Sequence, residues 1–137
     1  MKKFVVTMLF SLIVLSAFCQ NPKTRYDIVG KGSSGQYKCS GYVIEDTFFK
    51  TIEVYISDML NRKFSINKKV QVNESTIKYI CGNTLEDMEA YGIQTEYTVI
   101  KQKCPNGKDV YFFEFPPLYD GQGRTVYKVK RSYSPVL

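Results

Sequence analysis

The amino-acid sequence predicts an α+β fold, in which one long amphipathic helix packs on one face of a mostly antiparallel sheet of about five strands. Three observations lead to this prediction. One segment carries apolar residues at helical spacing, the segments on both sides of it alternate polar and apolar residues, and the turn signals between strands are those of hairpins. No repeat or interior linker divides the 137 residues. One small domain, residues 20–137, is therefore expected to follow residues 1–19.

A glycine-rich hairpin begins the predicted domain. Residues 25–29 alternate weakly, residues 36–44 alternate with a period of two, and the segment GKGSSG, residues 30–35, lies between them. This segment matches the G-x-G-x-x-G pattern of dinucleotide-binding loops, but the residues after it favour a strand where such a site requires a helix N-terminus. We therefore expect a hairpin loop and no nucleotide cofactor.

The long helix is predicted to run from Thr47 to Lys63. Asp46 is a suitable N-cap, and Arg62 and Lys63 suit the C-terminal end of the helix dipole. The face expected to pack on the sheet consists of apolar side chains at helical spacing, namely Phe48, Phe49, Ile52, Tyr55, Ile56, Met59 and Leu60.

The middle of the chain gives mixed signals. Residues 68–72 alternate again, whereas residues 75–81 fit either a strand or a helical turn. A short helix is predicted from Thr84 to Tyr91, because Asn83 and Glu86 resemble a capping pair.

The last third is predicted to be a β-meander. Residues 94–103 and 109–115 flank an Asn-Gly pair, which is a strong hairpin signal. The second of these strands is apolar on both faces, which indicates a central position in the sheet. A Pro-Pro pair ends it and begins a loop that leads to the last strand, residues 124–132.

The first 19 residues have the pattern of a secretory signal peptide. Two lysines precede an apolar run, residues 4–18, that is shorter than the roughly 20 residues a membrane-spanning helix needs. Ala17 and Cys19 favour cleavage before Gln20, which would release a periplasmic or secreted protein without a transmembrane segment. The alternative is lipoprotein processing, in which Cys19 would become the acylated first residue.

Export to an oxidising compartment makes the cysteines informative. Cys39, Cys81 and Cys104 remain after cleavage, so one disulfide and one thiol is the simplest arrangement. Cys39 lies at an inward position of a predicted strand and reads as a small core residue. Cys81 and Cys104 each lie beside a turn signal, and a disulfide between them is predicted.

The segment TRYDIVGKGSSGQY, residues 24–37, resembles the start of the mature domain in certain small exported bacterial proteins of uncharacterised function. An Ala-Val-His-Gly type of segment associated with that group is missing, because this chain contains no His. The resemblance therefore implies export and no particular activity or site.

Composition limits the possible chemistry. Without His, the chain cannot form Ser-His-Asp or Cys-His nucleophiles or His-based metal sites. Glu45 with Asp46, or Glu86 with Glu89, could serve a small carboxylate-based hydrolase, but each pair has a local explanation as a helix cap or first turn. No catalytic residue, metal ligand or cofactor is predicted, and the hydrolase remains the enzymatic alternative.

Basic and aromatic residues alternate in the C-terminal third, which suggests an anionic polymer as a ligand. The formal charge of +6 falls by two to +4 when Lys2 and Lys3 leave with the signal, which is modest for nucleic-acid binding. The alternation also predicts Tyr127 on the core side of its strand, with Lys128 and Lys130 on the other side. Nucleic acid is therefore not the expected partner.

The favoured function is a non-enzymatic exported interaction module that binds a protein or an extracellular polymer. Its predicted contact surface is the loop from Pro116 to Thr125 together with the edge strand after it. Tyr119 and Arg124 are the predicted anchors, because Tyr and Arg dominate interface energetics. Lys128 and Lys130 are the further binding residues.

Overall fold

The computed structural model describes residues 22–57, 60–82, 96–118 and 121–133, with the side chain of Leu60 excepted. It is a closed antiparallel β-barrel in which each strand pairs with the next along the chain and the last pairs with the first. The strands are β1 (Lys23–Lys31), β2 (Gly41–Asp46), β3 (Thr51–Ile56), β4 (Leu60–Gln71), β5 (Thr76–Gly82), β6 (Tyr97–Lys103), β7 (Val110–Phe115) and β8 (Thr125–Ser132).

Alternation along each strand fills the barrel with side chains. On β3, for example, Ile52 and Val54 are fully buried, whereas Tyr55 lies on the outer wall and stacks on Tyr42 of β2. An eight-stranded barrel has an interior that side chains can fill. The largest fully buried ones are Tyr79, Tyr127, Phe64, Phe113 and Phe115.

The predicted α+β fold is wrong: the described residues contain eight strands and no helix. Residues 47–57 and 60–63 form a turn, β3 and the first part of β4, and Met59 lies outside the described residues. The β-branched residues of β3 are stiff at χ1 and pack well on a sheet, so they favour a strand. Val54, which fell outside the predicted helical face, is fully buried, and Phe48 and Phe49, which belonged to that face, are 72% and 69% exposed.

The predicted β-meander is confirmed as β6, β7 and β8, and residues 75–81, which the sequence left open, contain most of β5. The predicted helix at 84–91 and the predicted signal peptide lie outside the described residues. No helix within the described ranges has the length and apolar character needed to cross a lipid bilayer.

The GKGSSG segment lies in the β1–β2 hairpin, and the backbone there favours glycine at all three glycine positions. A Cβ at Gly30 would lie 2.1 Å from the carbonyl oxygen of Gly35. Gly32 and Gly35 have φ angles of 105° and 70°, which L side chains rarely adopt. The motif is thus a requirement of a tight loop.

The predicted Cys81–Cys104 disulfide is absent. Cys81 lies opposite Tyr97 at the start of β6, whereas Cys104 follows the other end of β6, so a whole strand separates them. Cys39, Cys81 and Cys104 are all free. Burial raises the pKa of the Cys81 thiol to about 12, which makes it an inert core residue.

The connections between the strands define two ends of the barrel. The β2–β3, β4–β5 and β6–β7 turns lie at the end where Pro22 precedes β1, and we call this the polar end. The β1–β2, β3–β4 and β7–β8 connections lie at the opposite end, which we call the apolar end.

Candidate functional site

Four polar side chains from four strands meet inside the barrel near the polar end. Tyr79 donates a hydrogen bond to Oε1 of Glu45 over 2.9 Å. Lys101 Nζ donates to the same oxygen over 3.2 Å and to the hydroxyl of Tyr26 over 3.1 Å. Side chains of Glu45 and Lys101 are only 8% and 14% exposed. We call these four residues the buried polar cluster.

Electrostatics fix the protonation of this cluster. Burial, followed by the negative charge of Glu45 and the hydrogen bond to it, raises the pKa of Tyr79 far above its ordinary value. For Lys101, burial favours the neutral form, but the charge of Glu45 and the contacts with Tyr26 outweigh it and raise the pKa. At neutral pH, Lys101 is therefore charged and Tyr79 keeps its proton, so both act as donors to Glu45.

A cavity of about 270 Å³ lies beside the buried polar cluster, between the β2–β3 turn and β4. Glu45 and Tyr79 contribute to its wall, which connects it to the cluster. Its basic lining residues are Lys50, Lys68 and Lys69. We call this the lysine cavity.

A β-bulge turns the side chain of Lys69 toward the barrel interior, although both Lys68 and Lys69 line the lysine cavity. The register between β4 and β5 shifts between Ile66 and Lys68, which leaves Asn67 as the extra residue. Lys69 then lies opposite the inward-facing Tyr79, and its ammonium group is 5.7 Å from the centre of that ring. The bulge thus turns Lys69 toward the barrel mouth.

The β2–β3 turn, residues Thr47–Lys50, is held from inside by a buried carboxylate. Asp46 Oδ1 accepts hydrogen bonds from the backbone N–H groups of Phe48 and Phe49, over 2.9 and 3.0 Å. This is the pattern of an N-cap. Asp46 therefore caps a turn, and the helix that it was predicted to cap is not formed. The two phenylalanine rings contact each other edge to face at 4.9 Å. We call residues 47–50 the aromatic turn.

Neighbouring segments hold the aromatic turn at both of its ends. The backbone N–H of Thr47 donates to the carbonyl of Pro22 over 3.1 Å, and that of Ile66 donates to the carbonyl of Lys50 over 2.7 Å. Lys50 has a φ angle of 54°, a left-handed conformation that is uncommon for a residue other than glycine. The turn therefore has a fixed shape and a backbone that favours glycine at Lys50.

Of the two predicted anchors, the structure describes Arg124. Tyr119 lies outside the described residues. Arg124 donates to the carbonyl of Thr98 over 2.9 Å, and its Nε is 3.6 Å from Glu114. These contacts attach the β7–β8 loop to the barrel, so the arginine already has a structural role.

Lys128 and Lys130 lie on the outer wall of β8, while Tyr127 and Val129 are buried inside the barrel. This confirms the predicted alternation. However, β8 pairs with both β7 and β1 and is not the edge strand that was predicted. Lysines and stacking rings of this strand do not share a surface.

The predicted acid pair Glu45 and Asp46 lines the lysine cavity, but both carboxylates accept hydrogen bonds from the protein itself. The second predicted pair, Glu86 with Glu89, lies outside the described residues. In the described ranges, no group of three or more Cys, Asp and Glu residues could hold a metal ion.

Sequence reasoning missed the lysine cavity. One signal was present: two adjacent lysines, Lys68 and Lys69, lie in an alternating segment, so one of them must face inward. Their partners across the barrel could not be deduced without the strand order.

No protein-family model, no curated protein and no solved structure is significantly similar to this chain. The proposal for its function therefore rests on the geometry and charge of the polar end.

Proposed function

We propose that this protein is a non-enzymatic exported binding module that holds a small phosphate-bearing molecule in the lysine cavity. The observation that carries the proposal is the set of three lysines, Lys50, Lys68 and Lys69, around one cavity. Among the described residues, none of the three forms an ion pair.

The three lysines that line the cavity outnumber its two acids, Glu45 and Asp46. Glu45 is shared between Tyr79 and Lys101, and Asp46 accepts the two N–H groups of the aromatic turn. The cavity therefore has an excess of positive charge. Ammonium groups bind phosphate as point charges that adapt to the ligand, which makes a phosphate group a suitable ligand.

The size of the cavity limits the ligand. Sites for drug-sized molecules have volumes of about 300 to 1,000 Å³, and the lysine cavity, at about 270 Å³, is slightly smaller. A phosphate group with a short organic substituent fits this volume better than a nucleotide or a polymer does.

The conformation of Lys50 supports a role for its side chain. A left-handed backbone costs an ordinary residue about 1 to 2 kcal/mol, which glycine would avoid. Strain of this kind is often found at functional sites. We therefore assign the ammonium group of Lys50 a role in ligand binding.

Two other functions have less support. A hydrolase needs carboxylates that are available as acid and base, whereas Glu45 and Asp46 already accept structural hydrogen bonds. An anionic polymer would need rings and charges on one surface, which Lys128 and Lys130 do not share with Tyr127.

The test is calorimetric titration with inorganic phosphate and glycerol phosphate, and with glycerol as the uncharged control. We expect both phosphates to bind at one site and glycerol not to bind. Lys69→Met keeps an unbranched side chain and removes the charge, so affinity should fall at least about tenfold. Lys50→Gly should also weaken binding while leaving the protein as stable or up to about 1 kcal/mol more stable.

Lys130→Met is the matched control, because it removes one charge from the outer wall and should leave the affinity unchanged. Equal losses in Lys69→Met and Lys130→Met would mean that phosphate senses only net charge. That result, or no binding by the wild-type protein, would overturn the proposal.

A further inference from the structure

Exposed apolar side chains are concentrated at the polar end. Six large hydrophobic residues are exposed among those described, and four of them lie on or beside the turns of this end: Phe48, Phe49, Val72 and Tyr133, with exposures of 72%, 69%, 57% and 69%. The other two, Val29 and Tyr37, lie toward the opposite end. A group of exposed apolar residues on one side of a small protein indicates a contact surface.

The aromatic turn presents its rings in a fixed position. Asp46 holds the backbone at Phe48 and Phe49, and Pro22 holds it at Thr47. Both rings are exposed to solvent, and other apolar side chains fill the core. Because the turn is already ordered, contact through these rings requires little loss of conformational entropy.

Basic side chains surround the exposed rings. The lysines on turns and strand ends of the polar end include Lys50, Lys68, Lys69, Lys103, Lys108 and Lys130. The acids on the same turns and strand ends are Glu45, Asp46, Glu74 and Asp109, and the first two are buried. An apolar tip within a basic surround is the pattern of proteins that insert aromatic residues among lipid headgroups and are attracted by anionic lipids.

The start of the described chain lies at the same end. The carbonyl of Pro22 is bound to both the N–H and the hydroxyl of Thr47, in the aromatic turn. Cys19 is only three residues before Pro22 in the sequence. Because three residues span at most about 11 Å, an acylated Cys19 would lie within about that distance of Pro22.

From these observations we infer that the polar end docks on bilayers that contain anionic phospholipids, with Phe48 and Phe49 inserted among the headgroups. This goes beyond the proposed function, because it depends on the rings of the aromatic turn, and Lys50, Lys68 and Lys69 contribute only part of the positive charge around them. A stable protein interface needs about 800 Å² of complementary surface on each partner. The exposed apolar residues here lie on separate turns with lysines between them, which suits a fluid surface better.

The test is co-sedimentation of the full chain, as exported and processed by its host, with vesicles. One set consists of phosphatidylcholine alone and the other of phosphatidylcholine and phosphatidylglycerol in equal amounts. We expect binding to the anionic vesicles that weakens as salt is added. The double substitution Phe48→Ser with Phe49→Ser should lower the vesicle partition coefficient at least about tenfold, since each ring that enters the bilayer contributes strongly to partitioning.

Val29→Ser with Tyr37→Ser is the matched control, because it removes two exposed apolar side chains from outside the polar end. Every variant has the same N-terminal residues, so any contribution from that segment cancels in the comparison. Unchanged vesicle binding after the Phe48 and Phe49 substitutions would overturn the inference. So would an absence of wild-type binding to anionic vesicles, and a protein would then be the partner to seek.

Phosphate titration separates this inference from the proposed function. The double Phe variant should bind inorganic phosphate as the wild-type protein does, because neither ring lines the lysine cavity. Loss of vesicle binding with phosphate binding intact supports docking by the aromatic turn. Loss of both in that variant would show that the turn itself had been disrupted and would contradict separate roles for the two sites.

Discussion

The two ends of the barrel contain different kinds of interactions. At the apolar end, Leu118 of the β7–β8 loop is only 4% exposed and belongs to the same buried cluster as Phe115. Arg62 donates to the carbonyl of Pro117 over 2.8 Å, and its guanidinium lies 5.0 Å from the centre of the Phe64 ring. This end is packed and its polar groups point to structural partners.

At the polar end, charges replace apolar packing. The buried polar cluster occupies the interior, the lysine cavity opens beside it, and the aromatic turn exposes two rings. Groups at this end are less favourable for stability than an apolar core would be. One end of the barrel therefore stabilises the fold, and the other holds the features from which we propose binding.

The largest expected effect comes from removing a packed side chain at the apolar end. Phe115→Ala removes a fully buried ring and should lower the free energy of unfolding by about 3 to 5 kcal/mol, through lost burial and a cavity. Urea unfolding followed by circular dichroism measures this, since the chain has no Trp. A loss below about 1 kcal/mol would show that this end is not packed as described.

The next effect concerns the buried polar cluster. Glu45→Gln leaves the Lys101 charge without its partner and should cost about 2 to 4 kcal/mol. Adding Lys101→Met should recover part of this loss, because the uncompensated charge is removed. Additive effects of the two substitutions, measured in the same urea experiment, would mean that the residues are not coupled.

A smaller effect depends on pH. The pKa of Tyr79 is raised on folding, so its contribution is fully present below pH 10, the unfolded value, and is lost as pH rises above it. Lys101 also has a raised pKa and acts in the same direction above its ordinary value of 10.5. Stability should therefore fall steeply above about pH 10, and the fall should be shallower in Tyr79→Phe. Thermal unfolding at a series of alkaline pH values tests this, and identical slopes would refute the assignment.

The smallest expected effect comes from the corresponding substitution at the polar end. Phe48→Ala makes the same chemical change as Phe115→Ala, but its ring is 72% exposed. The free energy of unfolding should change by less than about 0.5 kcal/mol. A large loss would mean that the aromatic turn is needed for folding, and its role as a free contact surface would have to be abandoned.

Local signals in the sequence were sufficient for the last three strands of the barrel. The Asn-Gly pair and the alternation of residues 124–132 depend only on neighbouring residues, and they correctly predicted the hairpin and the last strand. The false helix had a physical origin. Ile52 and Ile56 are four residues apart, a spacing that puts them on one face of a helix and also on one face of a strand.

The buried polar cluster could not be predicted in the same way. Its members, Tyr26, Glu45, Tyr79 and Lys101, lie on four strands, and their meeting depends on the register of the whole barrel. The bulge at Asn67 also reverses which of two lysines points inward, and the sequence has no clear signal for it. Long-range register is therefore the information that local patterns lack.

Closure of the barrel has a consequence for how the chain folds. Seven of the eight strand pairings join consecutive strands across connections of 3 to 14 residues, so they form with a modest loss of chain entropy. The pairing of β1 with β8 is different, because Arg25 meets Ser132 roughly 100 residues later in the chain. Hairpins should therefore form early and the β1–β8 seam should close last. Before that step, both seam strands expose unpaired backbone groups, which makes the nearly complete barrel the species most prone to exchange strands with another copy.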